Sequence, residues 1–212
     1  GCISLTVKAK DGDGAVSVSC DGALHVRGYA DGSCSETLAG GWLTVVREDG
    51  FSRPFTGTCE ILSDNVSDIL ETYFGQSEQI PTAAAIETAL DSDGKCVWAG
   101  GVVMQLLPDA SEDMILSAGE AFERYKSRTE GFSEASGVYE EFFSRLASGG
   151  ITELYPQYKC NCSEEKIAGV LQTVGKAELL KICAELGEVR VHCHYCNRDY
   201  VYDEKRIGET IK

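Results

Sequence analysis

Four cysteines near the end of this 212-residue sequence have the spacing of metal ligands. Cys160 and Cys162 form a Cys-X-Cys pair (the first pair), and after thirty intervening residues Cys193 and Cys196 form a Cys-X-X-Cys pair (the second pair). Four thiolates can surround one zinc ion tetrahedrally, with Zn–S distances of about 2.3 Å. In an extended segment, residues i and i+2 face the same side, so both thiols of the first pair can reach one ion. The spacing therefore predicts a Cys₄ zinc site.

Other chemistries are open to the same thiols. Two permanent disulfides would need an oxidising compartment, whereas metal-like spacing points to a reducing one. A thioredoxin-like redox site would place the second pair at the start of a helix after a buried strand, which this sequence does not predict. His192 or His194 could replace a cysteine, but a Cys₂His₂ set would leave two thiols idle. Spacing alone does not say whether the zinc ever leaves, because oxidants can attack an exposed Cys₄ site and each disulfide formed removes two ligands.

Six further cysteines stand outside this pattern. Five are scattered singly and one lies in a helical pattern, and isolated cysteines are usually small buried hydrophobic residues. We expect such a role for Cys2, Cys20, Cys34, Cys59, Cys96 and Cys183.

Two helices are predicted between the cysteine pairs. Ser163 can cap the first helix, and carboxylates follow it in the first turn, where they suit the helix dipole. The apolar stripe of this helix is Ile167, Val170 and Leu171. The second helix, "GKAELLKICAEL", ends at Gly187.

The second cysteine pair lies at the turn of a predicted hairpin, "EVRVHCHYCNRDYVYDE". A unit of roughly 55 residues has a small core and is marginally stable alone. A structural metal would fit this need, because zinc binding would then supply much of the folding free energy.

The first hundred residues predict a β-rich domain. Apolar Ile3, Leu5 and Val7 alternate with polar residues, as in a strand with one apolar face. Further strands are predicted in "AVSVSC", "ALHVRGYA" and "GWLTVVRE". A turn at Asp21-Gly22 joins the first two, and a long hairpin is predicted around Asp93-Gly94.

Helical patterns follow at two places. The segment "DNVSDILETYF" predicts a helix capped by Ser63 or Asp64 and stopped by Gly75. Residues 111–156 predict a helical linker with two apolar stripes, broken by Gly131 and Ser133. We expect these stripes to pack on the larger domain through a partly polar contact of modest stability. The stripe residues are Met114, Ala118, Ala121 or Phe122, and Tyr125, followed by Val138, Phe142 and Leu146.

These patterns together predict an α+β fold in three parts. Residues 1–110 would form a β-rich first domain with packed helices, residues 111–156 a helical linker, and residues 157–212 a small C-terminal zinc-binding domain of two helices and a β-hairpin. The chain starts at Gly1 without a methionine and inside a strand-like pattern, so we expect further parts of the first domain upstream.

Charge and hydropathy each argue against one class of partner. All of the net charge of −15 lies in residues 1–156, which hold ten basic and twenty-five acidic residues. A surface that binds nucleic acid would be basic, so this part is unsuited to it. No apolar run approaches the roughly 18 to 20 residues that span a bilayer, so we expect no membrane insertion.

The tail of the sequence, residues 158–207, resembles the redox-switch domain of the heat shock protein 33 family. Its hallmark is Cys-X-Cys, a spacer near thirty residues and Cys-X-X-Cys, which residues 160–196 reproduce. Upstream, "HVRGYA", "GWLTVVRE", "YFGQSEQIPTA" and "AGGVVMQLLPDA" resemble segments of that family's first domain, in the same order. The resemblance covers nearly the whole chain and is weakest at about residues 111–150.

This resemblance implies a holdase chaperone that needs no ATP and is not an enzyme. In the reduced state Cys160, Cys162, Cys193 and Cys196 would bind Zn²⁺ and the protein would be inactive. Peroxide or hypochlorous acid, with unfolding stress, would form the disulfides Cys160–Cys162 and Cys193–Cys196 and release the zinc. The zinc domain and linker would then unfold and expose a surface for unfolding client proteins. The resemblance also implies a homodimer in the active state. The reducing compartment that the cysteine spacing indicates predicts a cytoplasmic location, with an organelle as the alternative.

Two other functions compete with this interpretation. A nucleic-acid-binding protein with a purely structural zinc ribbon is suggested by the basic residues near the two cysteine pairs, which are Lys159, Lys166, Arg190 and Arg198. A thiol oxidoreductase is suggested by the thiols themselves, but no nucleophile–histidine arrangement accompanies them.

Overall fold

The computed structural model describes residues 1–10, 14–31, 38–128, 135–146 and 151–211. Cys34, Gly131 and Ser133 lie outside these ranges. The strands are β1 (Cys2–Lys8), β2 (Ala15–Asp21), β3 (His25–Ala30), β4 (Trp42–Glu48), β5 (Phe55–Glu60), β6 (Thr82–Leu90), β7 (Cys96–Gln105), β8 (Gln157–Tyr158), β9 (Val189–Cys193) and β10 (Arg198–Tyr202). The helices are α1 (Val66–Tyr73), α2 (Glu112–Lys126), α3 (Ala135–Val138), α4 (Glu164–Val174), α5 (Lys176–Leu186) and α6 (Glu204–Thr210). Two π-helical turns follow α1 and α3, at Phe74–Glu78 and Tyr139–Phe143.

The main sheet confirms the β-rich first part. Its order is β5-β4-β1-β2-β3-β8, and all pairs are antiparallel except β3 and β8. The alternation in β1 places Leu5 and Val7 on the face that packs against α1. The opposite face carries hydroxyl side chains, and Thr6 and Ser17 are hydrogen-bonded there at 3.0 Å. Strands β5 and β8 were not predicted, and β8, with two residues, is too short to show a sequence period.

The core of this first part lies between the sheet and α1. Gly57 on β5 allows close packing, because a Cβ at this position would lie 2.8 Å from the Tyr73 hydroxyl oxygen. The buried residues are Leu43, Val45, Cys59, Ile61, Ile69 and Tyr73.

Both ends of α1 differ from the prediction. Its N-cap is Asn65, and not Ser63 or Asp64. Asp64 instead accepts a hydrogen bond from the backbone N–H of Leu38, 26 residues away. Helical backbone also does not end at Gly75, because α1 is followed directly by the π-helical turn that contains this glycine. The chain reverses at Gln79, which has a left-handed backbone (φ 57°).

The linker helices pack on the predicted long hairpin of β6 and β7. Ser111 caps α2 by accepting a hydrogen bond from a backbone N–H in the first turn. Met114 was predicted to face the core but is 50% exposed, because the contact with the hairpin begins later in α2. The buried cluster consists of Ala85, Ala121, Phe122, Tyr125, Phe142 and Phe143.

The C-terminal unit contains the two predicted helices and hairpin, and also α6. Ser163 caps α4 as predicted. Val170 was predicted to be buried but is 62% exposed, because Ala168 and Leu171 provide the contacts of α4 with the core. Asp203 caps α6, which directly follows the hairpin in sequence and contributes the buried Ile207 to the core of the unit. The core residues are Ala168, Leu171, Leu179, Cys183, Val189, Tyr200, Tyr202, Ile207 and Ile211.

The scattered cysteines only partly match their predicted role. Cys59 and Cys183 are buried, Cys2 and Cys20 are half-buried, and Cys96 is exposed at the start of β7. No helix within the described ranges has both the length and the apolar composition needed to cross a membrane.

Candidate metal centre

Short backbone segments bring the two cysteine pairs together. The first pair lies between β8 and the Ser163 cap of α4, and the second lies at the turn between β9 and β10. Asn197 adopts a left-handed backbone (φ 57°) in that turn, and its N–H donates to the Cys193 carbonyl at 2.8 Å. This tight turn points both thiols of the second pair toward the first pair.

The four sulfur atoms form one cluster. All four lie within 4.8 Å of one another, and two cross-pair Sγ–Sγ distances are 3.7 Å (Cys160 to Cys193) and 3.3 Å (Cys162 to Cys196). A tetrahedral zinc with Zn–S of about 2.3 Å requires sulfurs about 3.8 Å apart. None of these cysteines is in a disulfide. The donor set and its spacing therefore fit one soft metal ion, and zinc is the ion that such a Cys₄ set favours.

A buried tyrosine hydroxyl supports the cluster. Tyr200 is 3% exposed, and its hydroxyl donates to the Sγ atom of Cys162 at 3.1 Å. This hydrogen bond, helped by one from Cys196, lowers the pKa of Cys162 to about 6. Burial raises the pKa of Cys160, and the hydrogen bond to Cys162 raises that of Cys196. Cys162 is thus the thiol most ready to act as a thiolate ligand near neutral pH.

The neighbouring histidines are engaged elsewhere. His192 Nδ1 lies 2.7 Å from the Asp199 carboxylate, and the His194 ring lies 5.3 Å from that of Tyr29. Within the described residues, the only cluster with metal-ligand spacing contains the four cysteines. The Cys₂His₂ alternative therefore has no geometric support.

Two of the basic residues near the cysteine pairs are engaged by local partners. Arg190 forms ion pairs with Glu188 and Asp199. The Lys166 ammonium donates to the Asn161 carbonyl at 2.8 Å. These contacts give no support to the alternative of a nucleic-acid surface.

Sequence reasoning missed the residues that surround the cluster. It singled out neither Tyr200 nor two of the spacer residues within the cysteine pairs, Asn161 and Tyr195. The only available signal was their position within or next to the ligand motifs, since a polar or aromatic spacer has no distinctive pattern of its own.

Comparison with known proteins identifies the family. A family model described as "Hsp33 protein" matches residues 1–203. The chain belongs to the Hsp33 family. This confirms the resemblance seen in the tail and in the upstream segments.

Several Hsp33 relatives carry the name 33 kDa chaperonin. One from Caldanaerobacter subterraneus subsp. tengcongensis is 29% identical over 175 residues, which cover 81% of this chain and 60% of the relative. One from Clostridium perfringens (strain 13 / Type A) is 34% identical over the same share of this chain and 55% of the relative. The chain therefore spans about 60% or less of the length of these relatives.

A solved Hsp33 structure has the same fold. The crystal structure of the 33 kDa chaperonin (heat shock protein 33 homolog) from Thermotoga maritima matches with a TM-score of 0.72 at 24% identity. The match covers 99% of this chain and 77% of the other. The α+β fold class predicted from the sequence is thus confirmed.

Proposed function

We propose that this chain is the redox-switched portion of an ATP-independent holdase chaperone. Cys160, Cys162, Cys193 and Cys196 bind Zn²⁺ in its resting, reduced state. The observation that carries the proposal is the set of four sulfur atoms within 4.8 Å, in a family whose members are named chaperonins. The proposed units are 1–110, 111–156 and 157–212, and the proposed setting is a reducing compartment such as the cytoplasm.

The thiols supply the chemistry of the switch. When bound, zinc holds the two pairs together and keeps their thiolates deprotonated. In each pair, two thiolates give two electrons to one hydrogen peroxide and form one S–S bond, while the peroxide takes up two protons and leaves as two water molecules. Each disulfide removes two ligands, so two disulfides leave none for the metal.

The proposed pairing joins Cys160 to Cys162 and Cys193 to Cys196. It follows the family resemblance, whereas the two sulfur contacts at 3.7 and 3.3 Å each join one cysteine from each pair. Within-pair bonds therefore need the four-sulfur cluster to open as it is oxidised. Peptide mass mapping of the oxidised protein distinguishes within-pair from cross-pair disulfides.

Metal loss would destabilise the C-terminal unit and then the linker. The unit has a single small core, so zinc binding contributes directly to its folding. The linker is held on the β6–β7 hairpin by the buried Tyr125 ring and by a 2.6 Å ion pair between Arg128 and Glu87. Its release would uncover apolar groups of the hairpin for unfolding client proteins and for a second copy of the chain. These groups belong to Ala83, Ala85, Val102 and Met104.

The test follows zinc and client aggregation in one sample. The reduced, zinc-loaded protein is treated with peroxide at a mildly unfolding temperature, zinc is followed with a chelating dye, and aggregation of a denatured client by light scattering. We expect zinc release to precede suppression of aggregation. The Cys96→Ser variant is the matched control, because Cys96 is an exposed thiol outside the cluster and its loss should change neither signal.

Two results would contradict the proposal. One is retention of zinc after peroxide treatment that oxidises the thiols. The other is zinc release that leaves client aggregation unchanged.

A further inference from the structure

We propose that Arg27 is a latch that holds the cysteine cluster against the main sheet only while the two cysteine pairs are joined. The proposal rests on the proposed function and adds to it the contact through which the state of the cluster reaches the first domain. Nothing in the spacing of the cysteines points to this residue, which lies on β3, more than one hundred residues before them.

Arg27 contacts one spacer residue in each cysteine pair. Its Nη1 donates to the Oδ1 atom of Asn161, the residue between Cys160 and Cys162. Its guanidinium carbon lies 4.5 Å from the ring centroid of Tyr195, which lies between Cys193 and Cys196. A single side chain therefore bridges the two segments that meet at the cluster.

The sheet holds Arg27 in this position. Its Nε donates to the Ser19 hydroxyl on β2 at 2.9 Å, so the guanidinium has a fixed anchor on the sheet. Ser17 and Ser19 are only 4% and 6% exposed. These hydroxyls lie on the polar face of the sheet, and Tyr195 lies over that face, with its own hydroxyl 3.5 Å from the Ser17 hydroxyl.

Further contacts extend the latch around Tyr195. The Tyr29 ring meets that of Tyr195 edge-on, with centroids 5.1 Å apart and an interplanar angle of 83°. The Tyr158 hydroxyl lies 3.0 Å from the Gly28 carbonyl oxygen and 3.1 Å from that of Tyr195. Because Tyr158 belongs to β8, these contacts place β8 and the turn of the second pair on the same edge of the sheet.

The latch depends on the distance between the two pairs. Arg27 reaches Asn161 and Tyr195 together because the four sulfurs lie within 4.8 Å. Once each pair has formed its own disulfide, no common ligand fixes one spacer residue relative to the other. The guanidinium then keeps at most one of its two partners, and the docked unit loses its hold on β3.

Undocking has a local readout on β8. The backbone N–H groups of Gln157 and Lys159 donate to the carbonyls of Leu24 and Val26, each at 2.9 Å. β8 pairs with β3 through only two residue pairs, so it depends on the neighbouring contacts. Loss of the latch should therefore expose these two amides to hydrogen exchange.

The test compares Arg27→Ala with Arg47→Ala in the full, reduced, zinc-loaded chain. Arg47 is a matched control on β4 of the same sheet, where it stacks on Phe55 at 4.7 Å and pairs with Glu78, away from the four-cysteine cluster. We expect Arg27→Ala to retain one zinc per chain and to lose roughly tenfold of the exchange protection at residues 157 and 159, given the usual strength of hydrogen bonds and stacking by a guanidinium. We also expect faster zinc release by peroxide. Arg47→Ala should match the wild type in all three measurements.

A second variant keeps the test decisive if Arg27→Ala does not fold. Asn161→Ala removes only one acceptor of Arg27 and should give a smaller loss of protection, again with zinc retained. The latch would be overturned if the amides of residues 157 and 159 kept wild-type exchange protection in Asn161→Ala and in a folded Arg27→Ala. This outcome is distinct from failure of the proposed function, because protection is measured on the reduced protein without a client. A chain that undocks as expected but, once oxidised, does not suppress aggregation keeps the latch and refutes the holdase.

Discussion

The hydrogen bond from Tyr200 to Cys162 leads to a sharp prediction about zinc affinity. Tyr200→Phe removes the hydroxyl that donates to the Cys162 sulfur at 3.1 Å and keeps the buried ring. Loss of a group that hydrogen-bonds a metal ligand typically lowers metal affinity by about 10–100-fold. We expect the lower end, about tenfold, because the contact reaches one of four ligands and part of the thiolate charge is already shared with the metal.

Tyr202→Phe is the matched control for this experiment. Tyr202 lies two residues further along β10, is fully buried, and its hydroxyl has no hydrogen-bond partner among the described residues. Removing it leaves the cluster untouched and relieves a buried polar group that would otherwise cost about 1–3 kcal/mol. We therefore expect unchanged zinc affinity and equal or higher thermal stability for Tyr202→Phe.

The assay is competition for zinc between each reduced variant and a chelating dye at fixed pH. Thermal unfolding of the zinc-loaded proteins is measured in parallel, to separate a local effect on the metal from a general loss of structure. If Tyr200→Phe bound zinc within a factor of two of the wild type, the inferred support of Cys162 by Tyr200 would be wrong. An equal loss of affinity in both variants would assign the effect to packing, not to the hydrogen bond.

Three further predictions concern the cluster and the linker. Cys196→Ser should abolish stoichiometric zinc binding, measured by dye competition, and unfold the C-terminal unit, measured by circular dichroism. A normal zinc content would contradict the Cys₄ assignment. Zinc affinity should rise with pH through neutrality by at least about a hundredfold per unit, because Cys160 and Cys196 have raised pKa values and each must lose a proton to bind metal. Competition at two pH values checks this, and a flat profile would refute it. Tyr125→Ala should destabilise the linker by about 3–5 kcal/mol, since the ring is 1% exposed and packs on Phe142 at 5.7 Å. We therefore expect the reduced Tyr125→Ala variant to bind a client without oxidation. A linker as resistant to proteolysis as that of the wild type would contradict this prediction.

Local patterns in the sequence were enough for most elements. The strand alternation of β1, the turn glycines of the two hairpins and the Ser163 cap each depend on neighbouring residues, so periodicity and turn chemistry reveal them. The same holds for the four cysteines, whose spacing alone predicted that one small unit would bring them together.

Errors arose where distant contacts compete with local ones. Asp64 has the chemistry of an N-cap but binds the backbone of Leu38, so Asn65 caps α1 instead. Val170 has the right spacing for a buried stripe, yet the core is small and the contacts of α4 with it come from Ala168 and Leu171. Strand β8 exists only because the edge of β3 is available to pair with it.

The sequence by itself therefore determined the four-cysteine set, most of the secondary structure around it and the family to which the chain belongs. Only the tertiary structure decided what surrounds those ligands: the Tyr200 hydroxyl on Cys162, and Arg27 between Asn161 and Tyr195. The physical reason is that a cysteine motif is recognised from the short spacing between its residues. A supporting contact instead joins residues that are far apart in sequence and follow no regular pattern. The hydroxyl face of the main sheet illustrates this difference. Its alternation was predictable, but the turn of the second cysteine pair that lies against it was not.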